Sequence, residues 1–183
     1  MIDFSSLLGN ERVKAQLMTC FKKQAWEQPL CFQGIDGIGK SLFAQAIARA
    51  VISQDLKRTV TGQHPDIIEM HPVGKLGLHA VEAVRSFCDE VYITPYEARI
   101  KVLIIHEADR MLPASANTLL KTLEEPPESS LIILLTSAGD KLLPTIRSRL
   151  RTIYFEPLTP EEIISALNLE ESDAEQIVHR AQG

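Results

Sequence analysis

Short strand-like runs and longer helically spaced ones alternate along this chain. The short runs are Leu30-Cys31-Phe32, Asp66-Ile67-Ile68-Glu69-Met70, Lys101-Val102-Leu103-Ile104-Ile105-His106, Leu131 to Thr136, and Arg151 to Phe155. Each predicts a strand, and the β-branched runs from 101 and from 131 predict strands buried on both faces. Between them come helical patterns. Asn10 is the expected N-cap of a first helix carrying Val13, Leu17, Cys20 and Phe21, with Lys22-Lys23 at its C-terminal end. A second helix spans Leu42 to Ile52, and a third carries Val81, Val84, Cys88 and Val91 on one face. A fourth starts near Pro113, faces the core with Ala116, Leu119, Leu120 and Leu123, and stops at Glu124-Glu125-Pro126-Pro127. Asp140 is expected to cap a short helix through Ile146, and Ser53 to Gln63 is polar enough for a surface connection. Strand-helix alternation of this kind predicts a parallel sheet covered on both faces.

Two capping boxes follow, Thr159-Pro160-Glu161-Glu162 and Ser172-Asp173-Ala174-Glu175. They predict two short helices that cannot bury much alone. The division expected is an α/β domain over 1–157 and the start of a small helical domain over 158–183.

Composition narrows the class. At 183 residues and 45% hydrophobic, the chain suits one α/β domain with the beginning of a second. Cys20, Cys31 and Cys88 are odd in number, widely spaced and without a C-x-x-C. That predicts reduced core thiols in a cytoplasmic protein and argues against disulfides or a cysteine zinc site. Met1-Ile2-Asp3-Phe4 has no secretory signal character, and the longest apolar run, Leu131 to Leu135, is far too short to cross a bilayer. A net charge of −5 argues against a dedicated nucleic-acid-coating surface and leaves room for a local basic patch.

The most specific chemistry lies in Gly34-Ile35-Asp36-Gly37-Ile38-Gly39-Lys40-Ser41, which fits the phosphate-loop pattern G-x-x-x-x-G-K-[ST] at every fixed position. Glycines let the backbone curl so that its N–H groups point at a phosphate chain. Lys40 is expected to reach the β- and γ-phosphates, and the Ser41 hydroxyl to sit on Mg²⁺. A strand before the loop and a helix from Leu42 after it supply the expected context, including the helix N-terminus. Gly34, Asp36, Gly37, Ile38, Gly39, Lys40, Ser41 and Leu42 are therefore the expected nucleotide-binding residues.

An enzyme of this kind places an acidic pair at the end of a neighbouring strand, one carboxylate toward the Mg²⁺ water shell and the next toward the attacking water. Here the strand ends His106-Glu107-Ala108-Asp109. Glu107 stands in the water-polarising position and His106 in the metal-side position. Successive strand residues point to opposite faces, so Glu107 cannot fill both roles. A neutral imidazole is also a poor Mg²⁺ partner. Asp109 lies beyond the strand and reaches inward only if the turn allows. A hydrogen-bonded His106 without a catalytic role, with weakened hydrolysis and less affected nucleotide binding, is the favoured expectation.

The phosphate loop, Lys101 to Ile105, the run Ala116-Asn117-Thr118-Leu119-Leu120-Lys121-Thr122-Leu123-Glu124-Glu125-Pro126-Pro127, and Ile146-Arg147-Ser148-Arg149 together resemble bacterial clamp-loader subunits. These are the AAA+ subunits of the DNA polymerase III holoenzyme, and the resemblance covers about residues 3 to 182. It implies an AAA+ P-loop fold with a five-stranded parallel sheet in the order 5-1-4-3-2 and the start of a helical lid. Motor subunits, gamma and tau, keep an Asp-Glu pair after the third strand, whereas delta-prime commonly departs there. His106, Ala108-Asp109-Arg110-Met111 and Arg147-Ser148-Arg149-Leu150-Arg151 are more similar to delta-prime. The family's Ser-Arg-Cys motif carries an arginine finger for a neighbour's ATP site. Here it is Ser148-Arg149-Leu150, with the arginine kept and the cysteine absent. Thr136, followed by Ser137, matches the family's sensor-1 region.

The resemblance thus implies ATP or ADP with Mg²⁺ as ligands, and the other clamp-loader subunits (motor and delta-type), the sliding clamp and primed DNA as partners. No membrane is implied. The four-cysteine zinc module of many members is missing from Ser53 to Gln63, so no zinc is expected there, and His64, His71 and His79 are expected to be surface or turn histidines. The family's oligomerising collar would follow Gly183, so the chain alone is expected to be monomeric. A gamma-type motor using Lys40, Ser41 and Glu107, and an ADP-holding scaffold without turnover, stay open beside the delta-prime reading, to which the intact phosphate loop is an exception.

Overall fold

The computed structural model describes residues 7–23 and 28–159, together with Ile2, Phe4, Trp26 and Glu162. Five strands, β1 (Leu30–Gln33), β2 (Ile67–Met70), β3 (Lys101–Ile105), β4 (Ser130–Thr136) and β5 (Arg151–Tyr154), form one sheet in the order β2-β3-β4-β1-β5. Every pairing is parallel, and the order is the one implied by the family resemblance. Among the described residues, five helices connect and flank them: α1 (Glu11–Lys23), α2 (Lys40–Leu56), α3 (Val81–Tyr92), α4 (Pro113–Glu124) and the single turn α5 (Pro144–Arg147).

Strand periodicity sorts the core into two layers. Val102 and Ile104 of β3 face α1 and α2 with Leu17, Phe43, Ile47 and Ile52. Leu103 and Ile105 face α3 and α4 with Val84, Phe87, Leu119 and Leu123. All five residues of β3 and all seven of β4 are buried, which is why those runs carry no polar alternation.

Several local expectations are corrected. Asn10 precedes α1 with φ 53°, but its side chain does not cap the helix. It bridges instead to the segment after β5, with Nδ2 donating to the Glu156 carbonyl and Oδ1 accepting from the Glu156 N–H. Helix α2 continues through Ser53 to Leu56, and Val60 beyond it is buried, so the polar connection is shorter than its composition suggested. On α3, Phe87 joins the buried face while Val81 is only half-buried. The helix from Asp140 through Ile146 does not form as one piece. A 3-10 turn spans Gly139–Lys141, Leu143 is extended at ψ 137°, and α5 restarts at Pro144. Pro144 disfavours helical geometry in the residue before it and is itself suited to a first helical position.

The first capping box does form: the Thr159 N–H donates to Glu162 Oε2, and the Glu162 N–H to Thr159 Oγ1. The helices expected beyond it, the second capping box and the lid over 158–183 otherwise lie outside the described residues.

Asp66, fully buried just before β2, anchors the segment leading into β3. Its carboxylate accepts the backbone N–H groups of Tyr96, Glu97 and Ala98. Burial works to raise its pKa, but the donors of Ala98, Glu97 and Tyr96, with His64 nearby, outweigh burial and hold the carboxyl below its ordinary range. A depressed folded pKa gives stability that is present above the unfolded value, about 3.9, and is lost as pH falls through the folded value. Asp66→Ala leaves three donors without their acceptor and is expected to cost about 3 kcal/mol at pH 7, roughly 6–12 °C in Tm. Thermal melts across acidic pH check this: the gap between wild type and variant should narrow as the carboxyl protonates.

Candidate nucleotide site

The C-terminal ends of β1, β3 and β4 lie side by side, the position where open parallel sheets gather their ligand-binding loops. Register fixes the neighbours: Gln33 pairs with Thr136, and the Gly34 N–H donates to the Thr136 carbonyl at 3.2 Å. Gly34 is required by close approach, since a Cβ there would stand 2.8 Å from Phe155 Cβ and 2.9 Å from its carbonyl oxygen. Gly37 and Gly39 have φ of 79° and 93°, the left-handed region that side chains disfavour.

Gly39 is also the N-cap of α2 and offers no side chain to the first-turn N–H groups. Those donors and the helix dipole therefore face the cleft. Lys40 opens the helix almost fully buried, with Nζ donating to the Gly34 and Ile35 carbonyls at 2.5 and 2.8 Å. Burial pushes its pKa down, while Asp36 and Asp109 oppose that shift. Exposed Asp36 lies 3.9 Å from the ammonium.

A cleft of about 270 Å³ gathers most of the expected residues: Asp36, Gly37, Gly39, Lys40, Ser41 and Leu42 from the loop, His106 and Glu107 after β3, and Thr136 and Ser137 after β4. Gly34 and Ile38 do not line it. Ile38 is buried in the core behind the loop, packed near Gly34.

Thr136, sensor-1 in the resemblance, is buried, and its hydroxyl is engaged. It donates to Asp109 Oδ1 at 2.6 Å and accepts the Ala138 N–H at 3.1 Å. Asp109 Oδ1 also accepts the Ser137 N–H. The turn does allow Asp109 inward: Glu107 takes φ 48° and a 3-10 turn over Ala108–Arg110 brings the carboxylate back across β4. Burial, with Asp109 adding to it, pushes the Cys31 thiol up to about 12, so that thiol is inert.

His106 faces the loop but is tied sideways. Its Nε2 lies 2.7 Å from Glu69 Oε2, its ring stacks on His71, and its carbonyl accepts His79 Nε2 at 2.7 Å. Burial pushes the imidazole below its ordinary pKa, the Glu69 hydrogen bond opposes this, and His71 adds to the lowering. Glu107 is exposed and paired to Arg110 Nε at 2.6 Å. His64 and His79 are buried rather than on the surface, which corrects the expectation for both; the Asp66 N–H donates to His64 Nδ1. The sequence reading does not include Glu69 among the site residues. The signal available was E-x-H at the end of a strand, which places Glu69 and His71 on one face.

Arg149 stands elsewhere. It follows α5 and precedes β5, at the N-terminal edge of the sheet, whereas the phosphate loop leaves the C-terminal edge. A four-residue strand, about 13 Å long, separates the two. Its guanidinium meets Glu124 Oε1 at 2.5 Å and the Thr145 carbonyl at 2.7 Å. Glu124 comes from the Leu-Glu-Glu-Pro-Pro run, so two motifs of the resemblance join in one ion pair.

The family model described as DNA polymerase III, delta subunit, matches residues 9–159. DNA polymerase III subunit delta-prime of Bacillus subtilis is 32% identical over 163 residues, covering 83% of this chain and 49% of the relative. Subunit tau of the same organism is 30% identical over 186 residues, covering 95% and 32%. Among solved structures, a DNA polymerase III gamma subunit-related protein of Thermotoga maritima matches with TM-score 0.63 and 25% identity, covering 82% of this chain and 48% of that one. RuvB of Thermotoga maritima matches with TM-score 0.62 over 96% of this chain and 57% of its own, at 19% identity, a likeness of fold. The chain spans between about a third and a half of the length of the curated relatives it matches. Its fold is that of the AAA+ proteins, and the chain belongs to the DNA polymerase III clamp-loader family that includes delta-prime and gamma/tau subunits.

Proposed function

We propose that this is a delta-prime-like clamp-loader subunit that holds ATP or ADP on its phosphate loop, hydrolyses it weakly or not at all, and offers Arg149 to the ATP site of a neighbouring motor subunit. The observation that carries this reading is His106. A histidine bonded to Glu69 occupies the strand end where a motor would present a carboxylate to the metal side. The loop glycines, Lys40 and the open first turn of α2 fit a phosphate chain. Ser41 is the residue that would hold Mg²⁺, which supplies charge neutralisation at the phosphates when bound. His106 offers no oxygen to that ion's shell, and Glu107 would have to leave Arg110 before orienting a water.

Arg149 is a strand length from its own loop, so its guanidinium supports a role in trans, on leaving Glu124. In an assembly with motor and delta-type subunits, this chain would help open the sliding clamp and place it on primed DNA in the cytoplasm. No helix among the described residues is long and apolar enough to cross a membrane.

A gamma/tau-type motor is the second reading, favoured by the intact loop and by Glu107 in the cleft. Equilibrium ATP and ADP binding with and without Mg²⁺ separates the two. The delta-prime reading predicts binding that depends on Lys40 and changes little with Mg²⁺. Affinity strengthened markedly by Mg²⁺ would count for the motor.

A further inference from the structure

Among the described residues, Glu69, His71 and His106 form a cluster whose ligand atoms all lie within 4.8 Å of one another. We propose that these three side chains bind one transition-metal ion of the zinc class at the C-terminal ends of β2 and β3.

The cluster follows from strand geometry. Glu69 and His71 are two residues apart, so they share a face. The parallel register pairs Glu69 with Ile104 and Met70 with Ile105, and the next step sets His71 beside His106. The His106 N–H continues the ladder to the Met70 carbonyl at 2.9 Å.

Both imidazole Nε2 atoms converge on one oxygen. Glu69 Oε2 lies 2.7 Å from His106 Nε2 and 3.8 Å from His71 Nε2. A tetrahedral zinc site with bonds of about 2.05 Å has ligand–ligand edges of about 3.3 Å, and the two distances straddle that value; the ion would take the place of the proton shared by His106 Nε2 and Glu69 Oε2, which leaves to solvent. His106 is fixed by burial and by the bond from His79 to its carbonyl. Glu69 is steadied by Gln45 Nε2 at 3.3 Å, the kind of outer contact that orients a metal ligand. His71 has a side chain 59% exposed and can turn its ring off the stack, now 3.9 Å between centroids, without disturbing the core.

Two imidazoles and a carboxylate select zinc or cobalt over magnesium or calcium, which want oxygen. The replacement that makes His106 a poor magnesium-side residue thus makes it a good zinc ligand. Three protein ligands leave a fourth position for water. This site owes nothing to the cysteine module missing between α2 and β2.

The test uses the purified chain after chelation, titrated calorimetrically with Zn²⁺, and with Co²⁺ as an absorbing probe. The expected result is one ion per chain, a tetrahedral Co²⁺ spectrum, and a rise in Tm with Zn²⁺. His71→Ala, at an exposed position, should weaken Zn²⁺ binding by at least about tenfold and abolish the Co²⁺ band. Glu69→Gln should weaken binding as well, and each variant's far-UV spectrum checks its fold. Absence of stoichiometric binding by the wild type, or equal binding by His71→Ala, would overturn the proposal.

Discussion

Arg149→Ala, placed in an assembly with the motor and delta-type subunits, is expected to slow ATP hydrolysis in the neighbouring site by about a thousandfold. A guanidinium in trans acts on charge that develops during phosphoryl transfer, so the loss should fall on kcat and hardly on KM. Two structural facts support the expectation. Arg149 is at the opposite edge of the sheet from its own phosphate loop, and it is held ready by Glu124 and the Thr145 carbonyl. Arg149→Lys keeps the charge and loses the planar fork, and should recover only part of the rate. Steady-state ATPase of the assembly with each variant checks this. An unchanged rate would show that Arg149 is a solvated rim residue paired with Glu124 and nothing more.

The second large effect is Lys40→Ala, which is expected to raise the Kd for ATP and ADP more than about a hundredfold, roughly 3 kcal/mol. Lys40 is almost fully buried, and its Nζ is held by two loop carbonyls. The fold has therefore already taken the ammonium largely out of water on a residue that lines the cleft, and it would exchange the loop carbonyls for a phosphate. The charge-assisted bonds it can give to phosphate are correspondingly strong. The first-turn N–H groups of α2 and the loop glycines stay in place in the variant, so any residual affinity reports the backbone contribution alone. Calorimetric titration measures it, with a far-UV spectrum to show that α2 persists. Binding retained at wild-type strength would mean that nucleotide sits elsewhere or not at all.

Much of the fold was legible because each local signal has a single strong reading. Lys101 to Ile105 and Leu131 to Thr136 are apolar on both faces, which only a sheet covered twice can use. Of the two glycines fixed by the phosphate-loop pattern, Gly39 adopts positive φ and Gly34 is required by its close approach to Phe155. The sheet order came from the family resemblance, since nothing in the apolar runs tells which strands are neighbours.

What was not legible depends on residues distant in sequence or on backbone irregularity. Asp109 reaches Thr136 only because Glu107 adopts φ 48° and a 3-10 turn follows, and no periodicity announces that. The pairing of His106 with Glu69 needs the register of β3 on β2, which neither strand carries alone. Asn10 looks like a helix cap, yet its amide is used 146 residues away on Glu156. The ion pair between Glu124 and Arg149 joins two stretches that the sequence could mark as characteristic but could not bring together. His79 looked like a turn histidine, and it is buried because the loop carrying it packs back on β3 and Ser115 Oγ donates to its carbonyl.

Single-turnover hydrolysis of ATP bound to this chain tests most directly whether it holds nucleotide without consuming it. Wild type is compared with His106→Asp in the presence of Mg²⁺. The expected result is that wild type returns its ATP largely intact, while His106→Asp, with a carboxylate on the metal side beside Glu107, hydrolyses it measurably faster. Stoichiometric conversion to ADP by wild type, at a rate the variant does not exceed, would contradict the account and identify the chain as a motor.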